Sequence, residues 1–188
     1  VSVNAISQYG CPSDTTTKPV QVVAPPVANA GINTTICSGG TTGLGTNPAV
    51  GYIYYAWSPT TGISDSTIAN PTVTLTNSGT TPQIINYVLT VTQSGCISRD
   101  TVQVTVNPLP NVTAGPDKSV CMGSTTTIGA AAVSGQTYSW TPTSNLSSAT
   151  AANPTVNTNG LTPPTSLTYV VQGQNSFGCI NKDTVLVT

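Results

Sequence analysis

The residues of this 188-residue chain best suited to redox, nucleophilic or acid–base chemistry are five cysteines (Cys11, Cys37, Cys96, Cys121, Cys179) and five aspartates (Asp14, Asp65, Asp100, Asp117, Asp183); there is no His and no Glu. Without His, no Ser–His or Cys–His nucleophile pair can form. General acid–base work needs titratable groups set in different environments, yet Asp14, Asp100 and Asp183 are copies of one position in a recurring phrase. Catalysis is therefore not expected, and no cofactor is implied. Zinc binding is not expected either, because the cysteines neither cluster nor form a C-x-x-C pair. What remains for the cysteines is to bond one another.

Their spacing shows how. Cys11, Cys96 and Cys179 each sit in one phrase: Tyr9-Gly10-Cys11-Pro12-Ser13-Asp14-Thr15, Ser94-Gly95-Cys96-Ile97-Ser98-Arg99-Asp100-Thr101 and Phe177-Gly178-Cys179-Ile180-Asn181-Lys182-Asp183-Thr184. Alternating apolar runs flank the phrase, as in Tyr87-Val88-Leu89-Thr90-Val91 before and Val102-Gln103-Val104-Thr105-Val106 after, which reads as a β-hairpin. The period is about 84 residues, and other landmarks keep it: Cys37 and Cys121, Trp57-Ser58-Pro59 and Trp140-Thr141-Pro142, Asn70-Pro71-Thr72-Val73 and Asn153-Pro154-Thr155-Val156, Tyr87 and Tyr169. So long a period is that of a complete small domain, not of a solenoid unit that needs its neighbours for a core. The expected organisation is a hairpin from a preceding repeat over 1–23, a first repeat over 24–107 and a second over 108–188.

Each full repeat holds two cysteines roughly 60 residues apart, so the expected bridges lie inside the repeats, Cys37–Cys96 and Cys121–Cys179. Cys11 then corresponds to the second member of a pair whose first member would lie upstream, and is left unpaired by truncation. Closing a loop of about 60 residues restricts the denatured chain by roughly 4 kcal/mol on the chain-entropy argument. Such bonds imply an oxidising, extracellular location.

The elements that must position these residues are strands. Apolar and Thr residues alternate in short runs bounded by Pro and Gly, the pattern of an all-β domain. In 52–57, Ile53, Tyr55 and Trp57 share one face and Tyr52 and Tyr54 the other. The second repeat keeps only Tyr138 and Trp140, at the places of Tyr55 and Trp57, which marks that face as the core. In the closing hairpin Ile85, Tyr87, Leu89 and Val91 share a face. Pro25-Pro26 and Pro108-Leu109-Pro110 stand at the joints and predict a stiff, extended array.

Only 5% of residues are charged and the net charge is −1. With no basic stripe, nucleic acid is not an expected partner. No apolar run approaches the length of a membrane-spanning helix, so direct membrane insertion is not expected. The neighbouring repeats of the same chain are the first expected partners.

The pattern Cys…Trp…Tyr…Gly-Cys-x-x-x-Asp-Thr-Val, preceded by Ala114-Gly115-Pro116-Asp117-Lys118-Ser119-Val120-Cys121, resembles the immunoglobulin-like repeats, related to polycystic-kidney-disease-type domains, of giant secreted surface proteins in the Bacteroidota. The large adhesins of gliding motility are the best-known members. The likeness covers both full repeats and the leading fragment, with two departures: Ile32-Asn33 replaces Pro116-Asp117 in the first copy, and no Trp-x-Phe-Gly-Asp-Gly run occurs. It implies tandem Greek-key β-sandwiches of about seven strands, each bridge pinning an early strand to the last hairpin. It also implies secretion by the type IX system, a place on the cell surface and a part in adhesion or gliding. In that family Asp-[Ser/Thr]-x accepts O-linked glycans, which here would mark Thr15, Ser66, Thr101 and Thr184; the plainer reading is an Asp after a turn and a Thr suited to a strand. Tyr52 and Tyr54 are candidate contacts for a surface polysaccharide or another extracellular surface, or simply cover a neighbouring strand. Calcium at the joint has one plausible carboxylate, Asp117, and no metal site is assigned. The function expected is that of a non-enzymatic stalk making weak, repeated surface contacts. The alternatives are a carbohydrate-binding or spacer module of a secreted hydrolase, and a self-assembling filament or surface-layer subunit.

Overall fold

In the computed structural model, which describes residues 2–3, 5–13, 15–19, 22–46, 53–162 and 165–188, every described element of regular structure is a strand. A leading hairpin pairs β1 (Ser2–Val3) with β2 (Thr16–Thr17). The first sandwich sets a sheet of β3 (Thr34–Cys37), β8 (Cys96–Asn107), β7 (Gln83–Gln93) and β5 (Tyr54–Ser58), in that order, against the pair β4 (Thr41–Gly43) and β6 (Thr72–Thr74). Its opening strand β3 runs parallel to the closing strand β8, with Thr34 opposite Val104 and Cys37 opposite Asn107; the other pairings are antiparallel. An immunoglobulin-like sandwich is the result.

The second sandwich repeats the plan with β10 (Thr137–Thr141), β12 (Leu167–Gln174) and β13 (Ile180–Val187) against β9 (Thr125–Thr127) and β11 (Thr155–Asn157). The parallel opening strand is reduced to the bridge Lys118–Val187, flanked by N–H donation from Val120 to Thr188. The described residues thus give six strands and five, short of the expected seven. The segments after the cis prolines Pro59 and Pro142 hold themselves by a single bridge each, Ile63–Val73 and Leu146–Val156, and form no further strand.

Alternation decides which residues are buried. The inward face of β7 is Tyr87, Leu89 and Val91, and that of β8 is Val102, Val104 and Val106; with Trp57, Val73, Leu75 and Leu44 they form one core, and Ile85 and Tyr55 pack on it. A separate core gathers Trp140, Tyr169, Val171, Val185, Ile128 and Val156, with Tyr138 at its margin. Each Trp donates its indole N–H to a backbone carbonyl, Trp57 to Ile68 at 2.9 Å and Trp140 to Ala151 at 2.8 Å. Each buried Tyr hydroxyl likewise donates to a carbonyl, Tyr87 to Thr61 at 2.6 Å and Tyr169 to Ser144 at 2.9 Å. Burial pushes both phenols above the ordinary tyrosine value. Among the described residues no buried side-chain polar atom lacks a partner, and no helix is long and apolar enough to cross a membrane.

Candidate functional site at the joint

The expected bridges inside each repeat are not the ones formed. Cys37 bonds Cys179, across a sequence separation of 142 residues with 5.6 Å between Cα atoms, so the bond ties the first sandwich to the second. The parallel pairing of β3 with β8 explains why. Cys37 lies opposite Asn107, the last residue of β8, whereas Cys96 is the first. At about 3.3 Å per residue those two ends are roughly 36 Å apart, and a disulfide tolerates no more than about 7 Å between Cα atoms. Cys37 therefore lies at the end of the first sandwich that meets the second, whose closing hairpin brings Cys179 up to it. Cys11, Cys96 and Cys121 are free thiols.

The rest of the joint is built from backbone and amides. Ser38 donates its N–H to the carbonyl of Asn107, and Asn77 uses its side-chain amide to hold the carbonyls of Val106 and Thr81, both at 2.8 Å. On the other side Asn175 donates to Pro108 at 2.9 Å and Asn181 to Pro110 at 3.2 Å. Pro108 and Pro110 are buried and Leu109 is exposed. Gly173 faces Val112 where an added Cβ would come within 2.4 Å of a Val112 methyl, so the missing side chain lets the linker lie on β12. A cleft of about 600 Å³ opens between the sandwiches, with Asn77, Asn111, Gln136, Asn175, Phe177 and Asn181 in its wall. Its size would suit a small ligand. Yet Asn77, Asn175 and Asn181 have their amides committed to backbone groups. The joint is arranged to hold two domains.

The recurring Asp has a structural role that the sequence left open. Asp100 accepts the N–H of Ala30 at 2.8 Å, and Asp183 accepts that of Ala114 at 2.8 Å. Each carboxylate latches the closing hairpin to the segment that enters its own sandwich. For Asp183 the Ala114 bond, aided by the Thr184 N–H, holds the carboxyl below its ordinary value. Asp65 lies on the surface, and bonds from Thr67 lower its carboxyl. Asn33 and Asp117, at the site of one departure from the repeat pattern, do the same work: each accepts an edge N–H at 2.9 Å, from Gln103 and Leu186 respectively. Asp117 is thus a strand lock, and among the described residues no group of three or more His, Cys, Asp or Glu is placed to hold a metal ion.

The other candidate residues are scattered. Thr15, Thr101 and Thr184 are exposed and Ser66 is half-buried, its carbonyl accepting the Trp57 N–H. Asp14 and Tyr52 lie outside the described residues. Tyr54 is 73% exposed on β5, which borders its sheet. The structure does not bring these residues together.

No family model matches the chain, and no curated protein is similar to it. Among solved structures it is similar to the I67–I69 fragment of the titin I-band, at 12% identity and a TM-score of 0.41, over 89% of this chain and 66% of that one. Extracellular domains 3–5 of Drosophila OTK align at 12% identity and a TM-score of 0.42, over 84% and 58%. A SusE-like surface-located polysaccharide-binding protein of Bacteroides thetaiotaomicron aligns at 11% identity and a TM-score of 0.43, over 83% and 32%. These likenesses are of strand arrangement and carry nothing about ligand or role.

Proposed function

We propose that this chain is a non-enzymatic, load-bearing spacer segment of a long extracellular surface protein, of the class formed by the giant repeat adhesins of the Bacteroidota. The observation that carries the reading is the Cys37–Cys179 bond. Disulfides of this kind persist in oxidising surroundings. A bond between consecutive domains gives tension a covalent short cut: pulled at its two ends, the chain transmits force from Cys37 directly to Cys179, and the residues between them are shielded. The low charge, the Pro joints and the absence of His suit a stalk. Glycans on Thr15, Ser66, Thr101 and Thr184 would keep so weakly charged a surface soluble. Beads at 1–23, 24–107 and 108–188 would then be units of an array that holds an adhesive tip away from the cell or touches a surface weakly many times.

The test is single-molecule pulling from both ends, with and without a reductant. The oxidised chain is expected to withhold the loop of 142 residues, about 500 Å of contour at roughly 3.5 Å per residue, and the reduced chain to release it. Equal extension in both states would sink the reading. Tyr54, so widely exposed, favours one second reading, a carbohydrate-binding module. Loss of polysaccharide binding in a Tyr52→Ala, Tyr54→Ala double variant would support it, and absence of binding by the unaltered chain would remove it.

A further inference from the structure

The two cysteines left over in the sandwiches occupy the positions that the bonded pair occupies one bead away. Cys121 stands in the second sandwich where Cys37 stands in the first, and Cys96 stands in the first where Cys179 stands in the second. The local backbone repeats as well. Gly40 donates to the carbonyl of Cys37 at 2.8 Å, and Ser124 to that of Cys121 at 3.2 Å. Cys96 follows the Ser94-Gly95 turn at the head of β8, and Cys179 follows Gly178 at the head of β13. Cys121 is exposed and Cys96 half-buried.

We propose that Cys121 and Cys96 are the two half-bonds by which this pair of beads is joined to further beads of the same kind: Cys121 to the hairpin cysteine of one bead, and Cys96 to the first-strand cysteine of another. Each bond forms between two Sγ atoms as two S–H bonds are lost. The two electrons and two protons pass to an oxidant of the disulfide class, which leaves as two thiols, by thiolate attack through a mixed disulfide. The consequence is mechanical. Bonds from Cys121 and from Cys96, overlapping the Cys37–Cys179 loop, make a covalent rail in which tension enters at Cys96, follows the stretch 96–121 and leaves at Cys121. The first twelve residues of that stretch are β8, already extended, so there the tension runs along one strand of the first sandwich, whose Val102, Val104 and Val106 lie in the core. The inference rests on the reading of the chain as a stapled array and adds the site that continues it.

The test compares the 188-residue chain with a longer one in which a second copy of residues 106–188 follows Thr188. That junction keeps register, since Val187 and Thr188 stand where Val104 and Thr105 do. Both proteins are equilibrated in a glutathione disulfide buffer, alkylated and mapped without reduction. In the longer chain Cys121 is expected to bond the appended hairpin cysteine. Because linkage raises effective concentration, its alkylation should fall about a hundred-fold relative to the shorter chain. In the longer chain carrying Cys121→Ser at the original position, the appended hairpin cysteine should become alkylatable. Cys121 still open to alkylation, or bonded to Cys11 or Cys96, with Cys37–Cys179 intact, would overturn the proposal alone. Absence of the Cys37–Cys179 bond from both proteins would overturn the stapled-array reading beneath it.

Discussion

Where the first sandwich buries Leu75 against its core, the second buries Thr158, whose hydroxyl bonds the Ser124 backbone at its carbonyl and its N–H. Where the first has Ser38 accepting the N–H of Asn77, the second has the exposed Met122. The closing hairpins differ too. Ser94 and Gly95, both at positive φ, make the two-residue turn whose twist suits paired strands, whereas Asn175 to Gly178 make a longer one held by the Asn175 side chain. In the interior the landmarks recur, Trp57 with Trp140, Tyr87 with Tyr169, Val73 with Val156 and Asp100 with Asp183, while Leu44, Leu89 and Val91 give way to Ile128, Val171 and Gly173. The interior specifies a bead, and the ends specify what a bead meets.

Trp57→Ala and Trp140→Ala should break the two centres alike, each by about 4 kcal/mol. The chain has two tryptophans, so each variant leaves one to report by fluorescence on the other sandwich during urea unfolding. The surviving signal should keep its midpoint to within about 0.5 kcal/mol if the cores are independent. A large common shift would mean one cooperative unit.

Next in size are Gly45→Ala and Gly129→Ala. Both glycines have positive φ, and a Cβ would fall 2.0 Å from the Ala69 carbonyl oxygen in one case and 2.1 Å from that of Ala152 in the other, with the Trp ring behind. Each change should cost about 3 kcal/mol, read from denaturation midpoints. A loss in one sandwich and none in the other would show that the centres are not equivalent after all.

The latch is smaller and depends on pH. Removing the carboxylate in Asp183→Ala leaves the Ala114 N–H without its acceptor and should cost about 1–2 kcal/mol. Because the folded carboxyl sits below its ordinary value, its contribution is complete above the unfolded pKa and is lost as pH falls through the folded one. Denaturation midpoints taken on acidification should therefore fall less steeply for the variant than for the natural chain. Identical slopes would remove the latch from the account. Smallest is Thr158→Leu, which copies Leu75 into the second sandwich. It exchanges the hydroxyl's bonds for buried apolar area and should alter stability by less than about 1 kcal/mol.

The period, the strands and the inward faces were legible because each rests on local pattern. Val alternating with Thr or Gln sets a strand's faces, and Trp57 and Trp140 recur in the same setting. The partner of Cys37 was not legible, because spacing gives equivalent positions without saying which end of a strand a residue reaches. With β3 parallel to a 12-residue β8, Cys37 and Cys96 must lie at opposite ends. The Asp latch left a trace, an Asp at one place in all three hairpins, but the same trace suits a glycan acceptor, and only the Ala30 and Ala114 bonds give the carboxylate its role. Tyr54 stands out in the sequence as one of an aromatic pair that the second repeat lacks. The structure shows it exposed and brings no second described candidate to it.

A peptide map of the unreduced chain, with free thiols blocked before digestion, reads directly which cysteines are bonded. The account predicts one linked pair, the Cys37 peptide with the Cys179 peptide, with Cys96 and Cys121 blocked. Linkage of Cys37 to Cys96 and of Cys121 to Cys179 would contradict it, returning each bond to its own sandwich and leaving the joint to Pro108-Leu109-Pro110 and its amides.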